Sequence, residues 1–301
     1  MAMTELELIQ RINELPDNKE LKSIYKKAFI RLAKDLKKWD KDFATMTDSQ
    51  KSEFKRKLIV AKRMQNVLNA VEKDVHLNIL NTIKTAGAMS YNGTYFFMEK
   101  KYELELGNVL ISDEELLALA NKPIFSKNFS KRLHNNTQIV SQRASQAIAD
   151  GLVRGEGYAI IAQRLQSFTN MAYNNALRIS RTESGRVASI TNFQAAKNIK
   201  TMGIDIKKKW VATLDKKTRT DHRMLDGKTI ELKELFTVNG YQALHPHAFG
   251  AASEDVNCRC VLINVIDDIA PEYRMDNESK QTIKDMSYEE WLKTRNSSSG
   301  T

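Results

Sequence analysis

The chain has 301 residues, 42% of them hydrophobic and 28% charged, and a net charge of +10. This length can bury a sizeable core and fits two domains, and the apolar content excludes a disordered chain. No apolar run reaches the roughly 20 residues of a membrane helix, and the opening MAMTELELIQRINELPDNKE has no basic stretch ahead of an apolar one, so neither a membrane requirement nor a signal peptide is expected.

The excess charge is unevenly placed. Residues 1–200 carry 32 Lys and Arg against 21 Asp and Glu, whereas residues 201–301 carry 15 against 16. Residues 19–63 (15 against 6) and 131–200 (10 against 3) hold most of the basic excess. Such stripes are either solvated helix faces or an electrostatic footprint for double-stranded DNA bound without sequence preference. Under the second reading Lys55, Arg56 and Lys57 are candidate DNA contacts, and Lys207, Lys208 and Lys209 contribute less.

The first strong helical period starts at LPDNKELKSIYKKAFIRLAKDLKKW. Asp17 and Glu20 have capping-box spacing, and Leu21, Ile24, Tyr25, Ala28, Phe29, Leu32 and Leu36 recur on one face. A second long helix fits residues 48–84, with Phe54, Leu58, Ala61, Leu68, Val71, Val75 and Ile79 on one side. AGAMSYNGTYFFMEKKYEL loses the period, and its glycines and aromatics suggest a loop or a β-excursion. SDEELLALAN restarts a short helix with Ser112 and Glu115 as the capping pair, and Pro123 comes after it. A further helix runs from Phe129 to about Val153. RGEG interrupts it, YAIIAQRLQSF resumes, and the next helix, about 171–200, is rich in Ala, Ser and Gly, as close helix packing requires. Within it Glu183 and Arg186 are i, i+3 neighbours, either a surface ion pair or a charged anchor to the C-terminal part of the chain.

After Gly203 the texture changes. IKKKWVATL reads as a strand, DKKTRTDHRMLDG as a turn or short helix, KTIELKELFTVNGYQAL as β-rich with a turn at Asn239-Gly240, and CRCVLINVI as a terminal strand. Trp210 is expected in the core of this small module. The fold class is therefore mainly α with a small α+β module: a basic helical region (1–128), further helices (129–203), a compact β-rich module (204–268) and a C-terminal tail (269–301).

Two cysteines cannot form a disulfide framework, and a Cys-X-Cys bridge would close a strained ring, so a reducing cytoplasm is the expected place of synthesis. In an extended chain Cys258 and Cys260 face the same way, which suits thiolate ligation of one metal ion such as zinc. His222 is the best third ligand, with Asp215, His245 and His247 competing for the fourth. The alternative is that both cysteines are small buried hydrophobes. Asp215, just after a strand, is also placed to cap backbone N–H groups, with Arg219 able to pair with it or with Asp221.

RTESGRVASITN, WVATLDKKTRTDHRMLDGKTI, ELFTVNGYQA and NCRC, in this order and spacing, resemble the Mu F-like head morphogenesis proteins of tailed bacteriophages, over about residues 130–265. Matching positions are Arg181, Thr182, Glu183, Trp210, Asp215, Thr218, Arg219, His222, Asp226, Gly227, Cys258, Arg259 and Cys260. ALHPHAFGAASEDVNCRC departs from the PGD-like turn frequent before the family's cysteines. The resemblance implies a minor head (minor capsid) protein, made in the host bacterial cytoplasm with capsid and scaffold. Such a protein enters the procapsid with the portal protein, lies inside the virion head and meets the packaged DNA. It implies no enzyme: some relatives carry an enzymatic domain after this module, and about forty residues follow Cys260 here. The rival readings are a metal-dependent nuclease, because His222, His245, His247, Asn257 and the cysteines loosely resemble a ββα-metal site, and a host non-specific DNA-binding protein, for which no recognition-helix motif is visible.

Overall fold

The computed structural model describes residues 4–44, 53–107, 110–124, 126–154, 156, 158–266 and 273–297. Its helices are α1 (Glu5–Glu14), α2 (Lys19–Ala44), α3 (Glu53–Tyr102), α4 (Asp113–Asn121), α5 (Phe129–Val153), α6 (Tyr158–Thr201), α7 (Thr220–Arg223), α8 (Ala252–Asp255) and α9 (Tyr288–Ser297). Its strands are β1 (Ile206–Val211), β2 (Thr229–Glu231), β3 (Phe236–Val238), β4 (Tyr241–Ala243), β5 (Val261–Ile266), β6 (Tyr273–Asp276) and β7 (Gln281–Lys284). The chain divides into two compact units, Met1–Pro16 with Asn81–Ser126 and Ser180–Thr301, and Asp17–Leu80 with Lys127–Ile179. Long helices followed by small antiparallel sheets match the expected fold class.

The second unit is built on the predicted helical periods. Leu21, Tyr25, Ala28 and Leu32 of α2 are buried, and its core joins Ala28 and Leu32 to Val67, Leu68, Ala144, Ile148, Ile161 and Leu165. On the other side of α2, Lys19, Lys22, Lys26, Lys27, Arg31, Lys34, Lys37 and Lys38 are exposed. The helix begins later than expected. Asn18, not Asp17, caps it, its Oδ1 accepting from Leu21 N at 2.8 Å, while Asp17 accepts from the Tyr173 hydroxyl. Lys55, Arg56 and Lys57 fall on α3, but their side chains, with those of Phe54, Leu58 and Ala61, lie outside the described residues.

In the first unit α3 continues as helix through AGAMSYNGTYFFMEKKY, where a loop or β-excursion was expected. The glycines there admit neighbours instead of turning the chain: a Cβ at Gly87 would meet Leu116 at 2.7 Å, and one at Gly93 would meet Leu8 at 2.1 Å. Tyr91, Tyr95 and Met98 then pack with Ala195, Ala196, Ile199, Ile206 and Leu232. This stretch of α3 and the end of α6 therefore share one core with the β module. α6 is one continuous helix of 44 residues, not two. α4 carries the expected capping box, Glu115 N donating to Ser112 Oγ and Glu115 Oε2 accepting from Ser112 N.

The central sheet has the order β2-β1-β5, all antiparallel, with Trp210 paired to Leu262 and Lys208 to Asn264. β3 and β4 form the expected hairpin, closed at Asn239-Gly240. Strand alternation puts Lys208 on the buried face between Ile206 and Trp210. Its Nζ donates to the carbonyls of Leu232, Glu234 and Leu244 at 2.7–2.8 Å and lies over the rings of Phe193 and Phe236. Lys208 is thus a structural cation and not a surface lysine. β5 is not the last ordered element either. Residues 273–297, expected as part of a tail, form the β6–β7 hairpin and α9, whose Tyr288 and Trp291 pack on Leu214.

Candidate metal centre

Cys258, Arg259 and Cys260 run just ahead of β5. Alternation turns the two sulfurs to one side and Arg259 to the other. Arg259 makes a two-pronged ion pair with Asp215, Nη2 donating to Oδ1 at 2.8 Å and Nη1 to Oδ2. Asp215 also accepts from Lys217 N at 2.9 Å, which shapes the turn leading to α7. Burial would raise the Asp215 pKa, but the Arg259 guanidinium outweighs it and holds the carboxyl below its usual range. Asp215 is therefore committed to Arg259 and is not among the groups around the sulfurs. That corrects its expected place in the ligand set.

Arg219 also takes a different partner from the ones expected: it donates to the backbone carbonyls of Glu254 and Val256. This fixes α7 against the loop before the cysteines. The short helix then aims His222 inward, its ring at 5.6 Å from Trp210 and 5.8 Å from Phe249. His222 Nδ1 lies 3.5 Å from the sulfur of Cys258 and 3.5 Å from that of Cys260. The three donor atoms lie within 4.8 Å of one another, and all three residues are buried. On the far side of the ring, Nε2 lies 3.1 Å from Glu254 Oε2, and this carboxylate is buried as well.

Electrostatics couple these groups. A hydrogen bond with Cys260, aided by the imidazoles of His247 and His222, takes the Cys258 thiol well below its ordinary range. The same bond, burial and the charge on Cys258 push Cys260 up. Burial pulls His222 down, but its contact with Cys258 prevails and the pKa rises. The pair of sulfurs thus carries one negative charge readily and faces one imidazole.

The other two histidines stand apart. His245 Nδ1 donates to the Pro246 carbonyl at 2.8 Å, and burial depresses its pKa to about 4. His247 Nδ1 lies 3.1 Å from Asp255 O, and its Nε2 faces α6 where Gly185 leaves room: a Cβ there would be 2.4 Å away. Neither belongs to the close cluster of His222 and the cysteines.

The remaining motif residues frame the centre. Thr182 Oγ1 on α6 accepts from Asn257 N at 2.9 Å, tying the helix to the cysteine loop. Glu183 and Arg186 form a buried ion pair at 3.0 Å, not a surface pair, and Arg186 also donates to Leu119 O and so anchors α4. Thr218 Oγ1 donates to Thr213 O, and Trp210 is fully buried in the core cluster with both cysteines. Asp226 accepts from Ala212 N, Tyr288 N and both Nη atoms of Arg274, and Gly227 takes a positive φ directly after it. Arg181 lies on α6 just before Thr182. Sequence reasoning missed Glu254 and Arg274. An acid four residues ahead of Cys258 was the available signal for the first, and nothing in the spacing marked the second.

Residues 142–263 match the family profile described as Phage Mu protein F like protein. The chain is 37% identical over 291 residues to the NAD(+)–arginine ADP-ribosyltransferase EFV of Enterococcus faecalis (strain ATCC 700802 / V583). That alignment takes in 97% of this chain but 60% of the relative, so the chain spans under two thirds of that protein's length. It is 30% identical over 253 residues to the Minor head protein GP7 of Bacillus phage SPP1, covering 78% of this chain and 80% of that one. No solved structure matches the chain significantly. The profile covers the buried centre and the helix that ties to it, and the likeness to the SPP1 protein extends well beyond them: the chain belongs to the family of Phage Mu protein F like proteins.

Proposed function

We propose that this chain is a minor head protein of a bacteriophage, built into the virion during head assembly with the portal protein and in contact with packaged double-stranded DNA. The observation that carries this reading is the alignment with the SPP1 minor head protein over 80% of that protein. Two features of the structure support it. His222, His245 and His247 are all buried, which suits a module held together from inside better than a nuclease site open to a DNA strand. The exposed cations of α2 offer a surface for phosphates. Co-expression of the full chain with a cognate portal protein, followed by size-exclusion chromatography, tests it. Co-elution at low and moderate salt is expected; complete separation under both conditions counts against the role.

A second reading is favoured by the higher identity to the ADP-ribosyltransferase. Cavities of about 40 and 50 Å³ in the first unit are far smaller than the roughly 300 Å³ or more of a dinucleotide-sized pocket. The groove of about 600 Å³ in the second unit is lined by Lys22, Lys26, Tyr25 and Tyr173, among others, and by no carboxylate to support charge at a departing ribose. We therefore assign this chain a non-enzymatic role. Incubation with NAD and an arginine analogue is expected to release no nicotinamide, and magnesium, manganese or zinc is expected to elicit no DNA cleavage. Either product in stoichiometric excess would replace this reading.

A further inference from the structure

The centre formed by His222, Cys258 and Cys260 has the geometry of a ligand set. A tetrahedral zinc ion with metal–sulfur bonds of about 2.3 Å and metal–nitrogen bonds of about 2.0–2.1 Å separates a sulfur from a nitrogen ligand by about 3.5–3.6 Å. Both sulfurs stand 3.5 Å from the same nitrogen, Nδ1 of His222. A single hydrogen on Nδ1 would have to be shared between the two sulfurs, a weaker use of that nitrogen than a bond to one cation. A neutral imidazole nitrogen has either one hydrogen to give or one lone pair to offer, and here it is equidistant from two partners.

Glu254 decides which of the two Nδ1 has. An ionised carboxylate only accepts, so Glu254 Oε2 at 3.1 Å places the ring hydrogen on Nε2. The lone pair of Nδ1 then points at the sulfurs. This is the arrangement in which a second carboxylate fixes the tautomer and raises the basicity of a metal-bound histidine. The ring cannot swing away, because Trp210 and Phe249 pack against it. Both cysteines, the histidine and the glutamate are at most 4% exposed. A shared cation would offset the cost of burying two thiols, an imidazole and a carboxylate together.

From this geometry we infer that His222 Nδ1, Cys258 Sγ and Cys260 Sγ bind a zinc ion, with Glu254 as the positioning residue behind His222. The ion binds as the thiol protons leave to solvent, and the two thiolates and neutral imidazole give the centre no net charge around Zn²⁺. Asp215 takes no part, since Arg259 holds it. With its three ligands buried, the ion is structural: it joins His222 of α7 to cysteines 36 and 38 residues further on, adding to the bonds that Arg219 makes to the Glu254 and Val256 carbonyls.

The test uses the full chain purified without a histidine tag. About one equivalent of zinc per chain is expected, and chelator should lower the melting temperature and added zinc restore it. Replacing zinc by cobalt(II) should give thiolate-to-cobalt charge-transfer absorption and the intense visible bands of a tetrahedral ion. Cys258→Ser or Cys260→Ser should lose about half of the charge-transfer intensity, as expected for two thiolate ligands. Glu254→Gln should weaken zinc binding by about 10–100-fold and leave the charge-transfer absorption in place at saturating metal. Asp215→Asn should retain a full equivalent. Wild-type protein that takes up neither metal, cobalt absorption without a thiolate component, or a melting temperature indifferent to chelator would overturn the assignment even if the serine variants fail to fold.

Discussion

The Asp226 carboxylate, 1% exposed, accepts four hydrogen bonds, two of them from the guanidinium of Arg274. Removing one member of such a buried pair leaves the other charged and unmatched, at a cost of about 3–5 kcal/mol. Arg274→Ala should therefore lower the unfolding free energy by about that much in urea titrations, and Arg274→Lys, which cannot bridge both carboxylate oxygens, should recover only part. A loss within the range of a surface pair would mean that Asp226 is satisfied without Arg274. His245 acts on stability through protons. An unfolded histidine takes one up near pH 6.5, whereas burial holds the folded one down to about 4. The folded protein thus resists a proton the unfolded chain accepts. The stability due to a neutral His245 is complete above about pH 6.5 and is lost as pH falls towards 4. Asp215, kept low by Arg259, makes its loss separately, below the ordinary carboxylate range. Denaturant midpoints at about pH 7 and about pH 5 should differ less in His245→Asn, whose amide can still donate to the Pro246 carbonyl, than in wild type.

At the scale of elements, α9 and the β6–β7 hairpin bear on what holds the β module together. Trp291 is 1% exposed and packs with Tyr288 and Leu214, and the Tyr288 hydroxyl donates to Asp215 O at 2.8 Å. Aromatic truncation in a closed core costs about 3–5 kcal/mol. Trp291→Ala should reduce stability by that order in a denaturant titration and open residues 273–297 to limited proteolysis. A change near zero would return this segment to the tail expected from the sequence. α4 offers a milder test. Ser112 Oγ accepts from Glu115 N at 3.2 Å, so Ser112→Ala should cost about 1 kcal/mol, and Ser112→Asp should keep most of the cap.

For the molecule as a whole the question is whether the basic stripes meet DNA. Eight of the described cations along α2 are exposed on the side opposite its buried face. Each phosphate neutralised releases condensed counterions, so log affinity falls with log salt by about 0.9 per contact. About four to six contacts predict a slope of roughly −4 to −5 and weak binding near physiological salt. Weak binding suits a component that lets a genome move past it. Lys26, Lys27 and Lys34 changed together to Glu should reduce both affinity and slope in a fluorescence titration at three salt concentrations, while Lys216, Lys217 and Lys233, exposed in the other unit, should matter less. A flat salt response would mark the stripes as solvated surface.

Periodicity alone determined the helices around Leu21–Leu32, Ser112–Asn121 and Phe129–Val153, the strand at Trp210, the hairpin at Asn239-Gly240 and the side-by-side sulfurs of Cys258 and Cys260. Each is a local consequence of 3.6- or 2-residue spacing or of turn chemistry. The ordered motifs from RTESGR to NCRC also carried the family. Tertiary structure decided the rest, because it turned on partners distant in sequence. Gly87 and Gly93 read as loop glycines until Leu116 and Leu8 occupy the space beside them. Lys208 reads as surface until three carbonyls surround it, although its alternation with Ile206 and Trp210 already placed it inside. In the sequence Asp215 stood among the candidate ligands and Glu254 was unmarked. The fold gave Asp215 to Arg259 and Glu254 to His222, because the turn after β1 points one carboxylate away from the sulfurs while α8 brings the other behind the imidazole.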